Sequence, residues 1–216
     1  MLKIKMNKFD LRIIFLFFFT LNVLSENIGQ PGELFAIKVN KSIFTSSNGL
    51  IKIDNSYYKL VPLSFSKQGQ YVMFEDTKIF IQNKDFGESR ITITNNALVN
   101  LSDEDKDRTI RESKIINKAL QTYSKKMKPT FSFINPVDGI ISSRYGKKRF
   151  INNSPRSPHL ALDIAAPEGT KVLSPEDGKV ILIGNFFYSG NYIIIDHGQG
   201  LLSSYSHLSS ISVSED

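Results

Sequence analysis

From residue 32 onward the chain is divided into short apolar runs by Gly, Asn, Asp, Ser and Pro, and runs of this length fit strands better than helices. Up to about residue 97 the runs alternate apolar and polar residues, as in Leu34–Val39. After Pro129, β-branched runs such as Tyr192–Ile195 lie between tight-turn sequences. We therefore predict a mainly β protein, with a small amino-terminal antiparallel β module followed by an antiparallel β-sheet domain.

One segment between these two regions has a helical pattern. Ser102 precedes three acidic residues, which is typical of a helix start because the hydroxyl caps free N–H groups and acids suit the positive end of the helix dipole. Apolar residues then recur every three or four positions from Ile116 to Met127, and Pro129 ends the run. We predict one amphipathic helix that connects the β regions, with partner binding as the alternative role.

The amino-terminal residues have the pattern of an export signal. A basic stretch leads into an apolar run from Ile13 to Leu24, which is too short for a comfortable membrane span. Val23 and Ser25 precede a plausible cleavage point before Glu26. We expect export to the periplasm or cell envelope, by a cleaved signal peptide or, alternatively, by an uncleaved anchor.

Composition excludes several classes of function. The net charge is +6, but four of the cations, against Asp10, fall within the first 25 residues. The remaining excess is small and has no accompanying aromatic stripe, so nucleic-acid binding is not predicted. With no cysteine, the chain has no disulfide and no thiol nucleophile, and any metal ligand must be His, Asp, Glu or Asn. A Gly-x-Ser-x-Gly elbow and a phosphate-binding loop are also absent from the sequence.

All three histidines lie in the last 58 residues. His159 and Asp163 are four positions apart, and in an extended segment an even spacing places both side chains on one face. Imidazole nitrogen and carboxylate oxygen are ligands suited to zinc. The spacing alone is also compatible with a chance pair on a solvated loop.

The other two histidines differ in their surroundings. Strand alternation places His207 on one polar face with Ser203 and Tyr205, where an imidazole could orient water beside a metal or lie on a half-exposed strand with no function. His197 precedes a glycine and is interpreted as a structural residue that closes a hairpin.

Five motifs, in order, resemble the lysostaphin/LytM family of peptidoglycan metallopeptidases. The match covers about residues 131–216 and is highly specific. The motifs are residues 133–139 (Phe-Ile-Asn-Pro-Val-Asp-Gly), 142–146 (Ser-Ser-Arg-Tyr-Gly), 158–170 (Pro-His-Leu-Ala-Leu-Asp-Ile-Ala-Ala-Pro-Glu-Gly-Thr), 177–180 (Asp-Gly-Lys-Val) and 195–200 (Ile-Asp-His-Gly-Gln-Gly).

The resemblance implies a zinc site and a reaction. His159 and Asp163 correspond to two zinc ligands of the family, and His207 corresponds to the catalytic histidine of its Tyr-x-His-Leu motif. The family's later His-x-His motif, which carries the third ligand, has no counterpart before Asp216. We therefore expect an incomplete, inactive domain, either a carboxy-terminally truncated fragment of an ordinary enzyme or a shortened non-catalytic descendant.

The predicted protein is an exported zinc metallo-endopeptidase that hydrolyses the peptide cross-links of peptidoglycan. The alternative is a module of the same fold that binds peptidoglycan or regulates an amidase. The expected organisation is a signal peptide (1–25), an accessory β module (26–100), a connecting helix (101–128) and an incomplete metallopeptidase domain (129–216).

Overall fold

A computed structural model describes residues 27–40, 50–53, 55–94 and 100–215. The predicted signal peptide lies outside the described residues. Within them, no helix is long and apolar enough to cross a membrane.

The described part of the upstream region contains seven short strands. They are β1 (Asn27–Gly29), β2 (Leu34–Val39), β3 (Leu50–Ile53), β4 (Ser56–Pro62), β5 (Tyr71–Phe74), β6 (Thr77–Ile81) and β7 (Glu88–Ile91). One sheet has the order β2-β4-β3, and its pairs are antiparallel. A second has the order β1-β6-β5, and there β1 runs parallel to β6. The prediction of an antiparallel module is therefore wrong for this pair of strands. Alternation of apolar and polar residues specifies which face of a strand is buried but not the direction in which its neighbour runs.

The two upstream sheets enclose a small apolar core. Val61 and Leu63 from the end of β4 contact Ile79 and Ile81 of β6, and both isoleucines are fully buried. A main-chain hydrogen bond from Gly32 N–H to the Leu63 carbonyl (2.7 Å) ties the first turn to this core. The β module therefore has its own hydrophobic centre.

The connecting helix, α1 (Asp103–Ala119), begins as predicted and ends earlier. The Ser102 hydroxyl caps it by accepting a hydrogen bond from Asp105 N–H at 3.1 Å. The helix stops at Ala119 because the following residues bond elsewhere: the Ser124 hydroxyl donates to Asp196, and the Ser124 carbonyl accepts from Gln199 N–H (2.9 Å). The apolar pattern that predicted helix to residue 128 instead belongs to a connection bound to the downstream sheet.

The downstream region contains three sheets. Its strands are β8 (Ile140–Ser143), β9 (Lys148–Ile151), β10 (Ser154–Arg156), β11 (Asp163–Ala165), β12 (Lys179–Phe186), β13 (Gly190–Gly198) and β14 (Leu201–Leu208). Strands β12, β13 and β14 form an antiparallel meander, and β8 pairs with β11. The prediction of a mainly β chain is confirmed.

Strand β7 joins the upstream and downstream regions. It pairs in parallel with β9, in a sheet of order β10-β9-β7. Across the same junction, the ring of Tyr145 contacts the rings of Phe65 and Phe86 edge-on, with centroids 5.9 Å apart in both pairs. The two regions are thus connected by main-chain hydrogen bonds and by packed aromatic rings.

The downstream core lies where α1 packs on the meander. Ile116 and Ala119 of α1 contact a buried cluster of Phe186, Tyr192 and Ile194. The Glu112 carboxylate also accepts a hydrogen bond from Phe187 N–H at 2.7 Å. The helix is thereby an integral part of the downstream domain.

Replacement of Ile194 by Ala should lower the free energy of unfolding by about 2–5 kcal/mol, because Ile194 is fully buried and the cavity would not fill completely. The matched control is Ile140→Ala, at a side chain that is 77% exposed, where the change should stay within about 0.5 kcal/mol. Urea denaturation measures both, and equal losses would contradict this account of the core.

Candidate metal centre

The backbone of His159 is fixed by the neighbouring chain. Its N–H donates to the Lys147 carbonyl at 2.9 Å, and its carbonyl accepts from Gly146 N–H at 2.6 Å. Gly146 has a φ of 90° and packs against the ring of Phe86, so a side chain there would be strained and would collide with the ring. The loop that presents the histidine is therefore held in one position.

The imidazole of His159 has a defined tautomer. The side chain is buried, with 3% exposure, and Nδ1 lies 3.1 Å from the Arg144 carbonyl and 3.2 Å from the Ser143 hydroxyl. Because a carbonyl only accepts, Nδ1 must carry the proton. This is the outer hydrogen bond that commonly orients a metal-binding histidine.

The opposite nitrogen of His159 faces Asp163. Nε2 lies 2.9 Å from Asp163 Oδ1. In a neutral imidazole with its proton on Nδ1, Nε2 is an acceptor, and an ionised carboxylate is an acceptor too. Two acceptors at this separation need a cation between them, either a proton or a metal ion. The donor set and its orientation fit two ligands of a zinc ion.

No third His, Cys, Asp or Glu completes a metal-binding group within the part of the chain that the structure describes. The structure thus brings His159 and Asp163 together, as predicted, but the backbone between them is not the extended strand on which the prediction was based. Residues 157–162 form no strand, and β11 begins only at Asp163. The side chains therefore meet across a bend.

His207 lies on a different sheet, near the end of β14. The register between β13 and β14 shifts between Ile193 and Asn191, so Ser206 and His207 together oppose Tyr192 in a β-bulge. His207 has a φ of 59° and is exposed, and its N–H donates to the Ser189 carbonyl at 2.8 Å. The bulge interrupts the alternation that predicted one common face for Ser203, Tyr205 and His207.

His197 lies in a hydrogen-bonded network in the interior. It is 2% exposed, its Nδ1 donates to the Asp177 carbonyl (2.9 Å), and its Nε2 accepts from the Ser203 hydroxyl (2.8 Å). Tyr205 bonds Ser203 in turn; burial raises the pKa of Tyr205 above its usual 10.0, and this hydrogen bond partly offsets the rise. Since both nitrogens of His197 are occupied by protein, its geometry fits the structural role interpreted from the sequence.

A cavity of about 850 Å³ lies between the upstream module and the loop that carries His159. Leu63 and Phe65 line it on the upstream side, and Tyr145, Pro158 and Leu160 line it on the other. No sequence pattern predicts this cavity, because its two walls come from segments more than 70 positions apart. The upstream module therefore forms one wall of the space beside the histidine loop.

Comparison with known proteins identifies the carboxy-terminal segment. Residues 157–216 match peptidase family M23. The matched segment is similar to that family, and it includes His159, Asp163 and His207. The family resemblance predicted from the five motifs is confirmed.

Individual relatives agree with this assignment. The chain is 41% identical over 81 residues to the peptidoglycan DD-endopeptidase ShyA of Vibrio cholerae, covering 36% of this chain and 19% of ShyA. It is 32% identical over 81 residues to the murein hydrolase activator NlpD of Salmonella dublin, covering 37% of this chain and 20% of NlpD. The chain thus spans about a fifth of the length of these relatives.

The fold also matches a solved structure. A Pseudomonas aeruginosa crystal structure assigned to peptidase M23 superposes with a TM-score of 0.59 at 25% sequence identity. The match covers 86% of this chain and 76% of the other. It therefore extends beyond the M23 segment into the upstream region.

Replacement of His197 by Ala should destabilise the fold by about 1–3 kcal/mol, because the Asp177 carbonyl and the Ser203 hydroxyl would lose a buried partner. His207→Ala, at an exposed imidazole, should change the free energy of unfolding by no more than about 0.5 kcal/mol. Thermal and urea unfolding of both variants make the comparison. A stable His197→Ala protein would contradict the structural role.

Proposed function

We propose that this chain is part of an exported zinc metallo-endopeptidase that hydrolyses the peptide cross-links of bacterial peptidoglycan. The observation that carries the proposal is the pair formed by the buried His159 and the half-exposed Asp163, which lies within the segment that matches peptidase family M23 and whose geometry calls for a cation. The names of ShyA and its relatives support peptidoglycan as the substrate. A periplasmic or envelope location follows from that substrate and from the predicted export signal.

In this proposal each residue has a distinct task. His159 Nε2 and Asp163 Oδ1 hold the zinc, while the Arg144 carbonyl keeps the proton on Nδ1 and so keeps Nε2 available. The zinc supplies Lewis-acid polarisation of the scissile carbonyl. His207, exposed on its bulge, is the catalytic histidine that hydrogen-bonds the reacting group.

The surroundings of the pair suit a peptide substrate. Asp163 is half exposed while His159 is almost fully covered, so access to the pair is from the Asp163 side. Several apolar side chains remain exposed nearby, among them Ile140 of β8 and Leu162. These would contact the apolar parts of an extended peptide stem and exclude water from it.

A second candidate function is a regulatory module that binds peptidoglycan or activates an amidase without hydrolysis. Two observations favour it: the similarity to the murein hydrolase activator NlpD and the lack of a third His, Cys, Asp or Glu beside the pair among the described residues. Catalytic zinc sites normally use three protein ligands. The number of protein ligands bound to the metal separates the two candidates.

Substitution of either ligand should abolish zinc retention. We expect His159→Ala and Asp163→Ala to lose the metal, because each removes one of the ligands, and His207→Ala to keep the metal and lose turnover. The protein to test is this chain together with any coding sequence that follows residue 216. Zinc per protein is measured by plasma mass spectrometry, and turnover by release of muropeptides from purified sacculi.

Asp76→Asn, at an exposed turn of the upstream module, is the matched control and should retain both zinc and activity. Stoichiometric zinc in the His159→Ala protein would refute the ligand assignment. If the parent and the Asp76→Asn control both bind sacculi and neither cleaves peptidoglycan, the regulatory candidate is favoured instead.

A further inference from the structure

Positive charge is concentrated in one hairpin beside the candidate metal centre. Residues 139–162 contain five Lys and Arg and no Asp or Glu. Residues 26–216 as a whole contain 23 cations and 20 acids, so the rest of this span carries 18 cations against 20 acids. Three of the five, Lys148, Arg149 and Arg156, lie in the hairpin of β9 and β10, which is therefore a local cationic site on an otherwise slightly acidic span.

Two arginines of this hairpin lie directly opposite each other. Arg149 of β9 is the register partner of Arg156 of β10, and on its other side Arg149 neighbours the uncharged Ser89 of β7. Like charges in directly opposite positions destabilise a sheet. Neither guanidinium forms an ion pair with any acid in the described ranges; the nearby Glu88 carboxylate is bound by Arg90 instead, at 2.9 Å. The pair thus has a cost to folding and no internal counterion.

The hairpin is built rigidly. Its turn residues Asn152 and Asn153 both have positive φ, 48° and 63°, as the tight turn of a two-residue hairpin requires. The side chain of Asn152 bonds both the N–H (2.9 Å) and the carbonyl (3.0 Å) of Ile93. The other edge of β9 is held by its parallel pairing with β7. The two guanidinium groups therefore project from a preorganised frame.

The arginine pair is close to the reaction centre along the chain. Arg156 and His159 are three positions apart, a Cα-to-Cα path of at most about 11 Å, and Ser157 and Pro158 between them line the cavity beside the histidine loop. One residue of an extended peptide spans about 3.3–3.6 Å. A group held by the arginines would thus belong to a residue a few positions from the scissile bond.

We infer that Arg149 and Arg156 form a subsite for a carboxylate of the peptide stem, and that this subsite sets the register of the substrate relative to His159 and Asp163. The inference rests on the proposed function. Guanidinium groups bind carboxylates through paired, charge-assisted hydrogen bonds, and the free carboxylates of a cross-linked stem peptide are the matching ligand. A bound carboxylate also supplies the counterion that the fold does not.

The test compares Arg149→Gln/Arg156→Gln with the control Lys171→Gln/Lys179→Gln, which removes the same charge at two exposed lysines outside the hairpin. Binding of a soluble cross-linked stem peptide is measured by calorimetry, with its carboxyl groups free or amidated. The arginine variant should raise the Kd for the free acid about tenfold and leave that for the amidated peptide unchanged. The control should leave both values unchanged.

Folding stability provides an independent readout. Because the arginines repel each other, the double variant should unfold at the same or a higher urea concentration, so weaker binding could not be attributed to a damaged fold. Equal affinity of the parent and the arginine variant for the free acid would overturn the subsite while leaving the proposed function intact. Failure of the parent to bind either peptide or sacculi would contradict both.

A membrane surface is the competing anionic partner. Vesicles of phosphatidylglycerol are therefore tested in parallel with the peptide. Loss of vesicle binding in the arginine variant, together with unchanged peptide binding, would assign the hairpin to a lipid surface and overturn the inference. Loss of binding to the free-acid peptide alone would support it.

Discussion

The hydrogen bond from His159 Nδ1 to the Arg144 carbonyl is the interaction on which the site depends. It determines which ring nitrogen is left without a proton, and that nitrogen is the one 2.9 Å from Asp163. Because the imidazole is buried, solvent cannot substitute for the carbonyl. Among the metal ions that this pair could hold, nitrogen with carboxylate oxygen favours zinc.

Much of the remaining structure serves to hold that carbonyl and that histidine in place. Main-chain bonds at Gly146 and Lys147 fix the loop, and the Tyr145 ring between Phe65 and Phe86 attaches it to the upstream module. The pairing of β7 with β9 continues the same connection. The upstream module therefore contributes to the geometry of the site although it supplies none of the proposed ligands.

Local pattern was sufficient for some features and not for others. The strands and the Ser102 cap follow from alternation and capping chemistry, whereas His159 and Asp163 meet across a bend and not along the extended segment that their spacing assumed. Other features depend on hydrogen bonds to distant segments. They are the parallel pairings of β1 with β6 and of β7 with β9, the early end of α1 and the bulge at His207. Periodicity contains no information about those partners.

The Arg149–Arg156 pair is another feature that local sequence pattern does not predict. Its basic residues are visible in the sequence, but only the strand register shows that they face each other without a counterion. Like charges in directly opposite positions of two strands are unfavourable, and an unfavourable arrangement of this kind is expected mainly at functional positions. The metal pair, the cavity and the arginine hairpin together describe a site suited to an anionic peptide.

Analysis of the products formed from purified sacculi tests the central claim most directly. Zinc-loaded protein, as this chain and as the chain extended by any coding sequence that follows residue 216, is incubated with sacculi, and the muropeptides are separated and weighed by mass spectrometry. The account predicts that cross-linked dimers are converted to monomers by at least one form, with no release of peptide from the glycan strand. Unchanged dimers with a folded, zinc-loaded extended protein would contradict it.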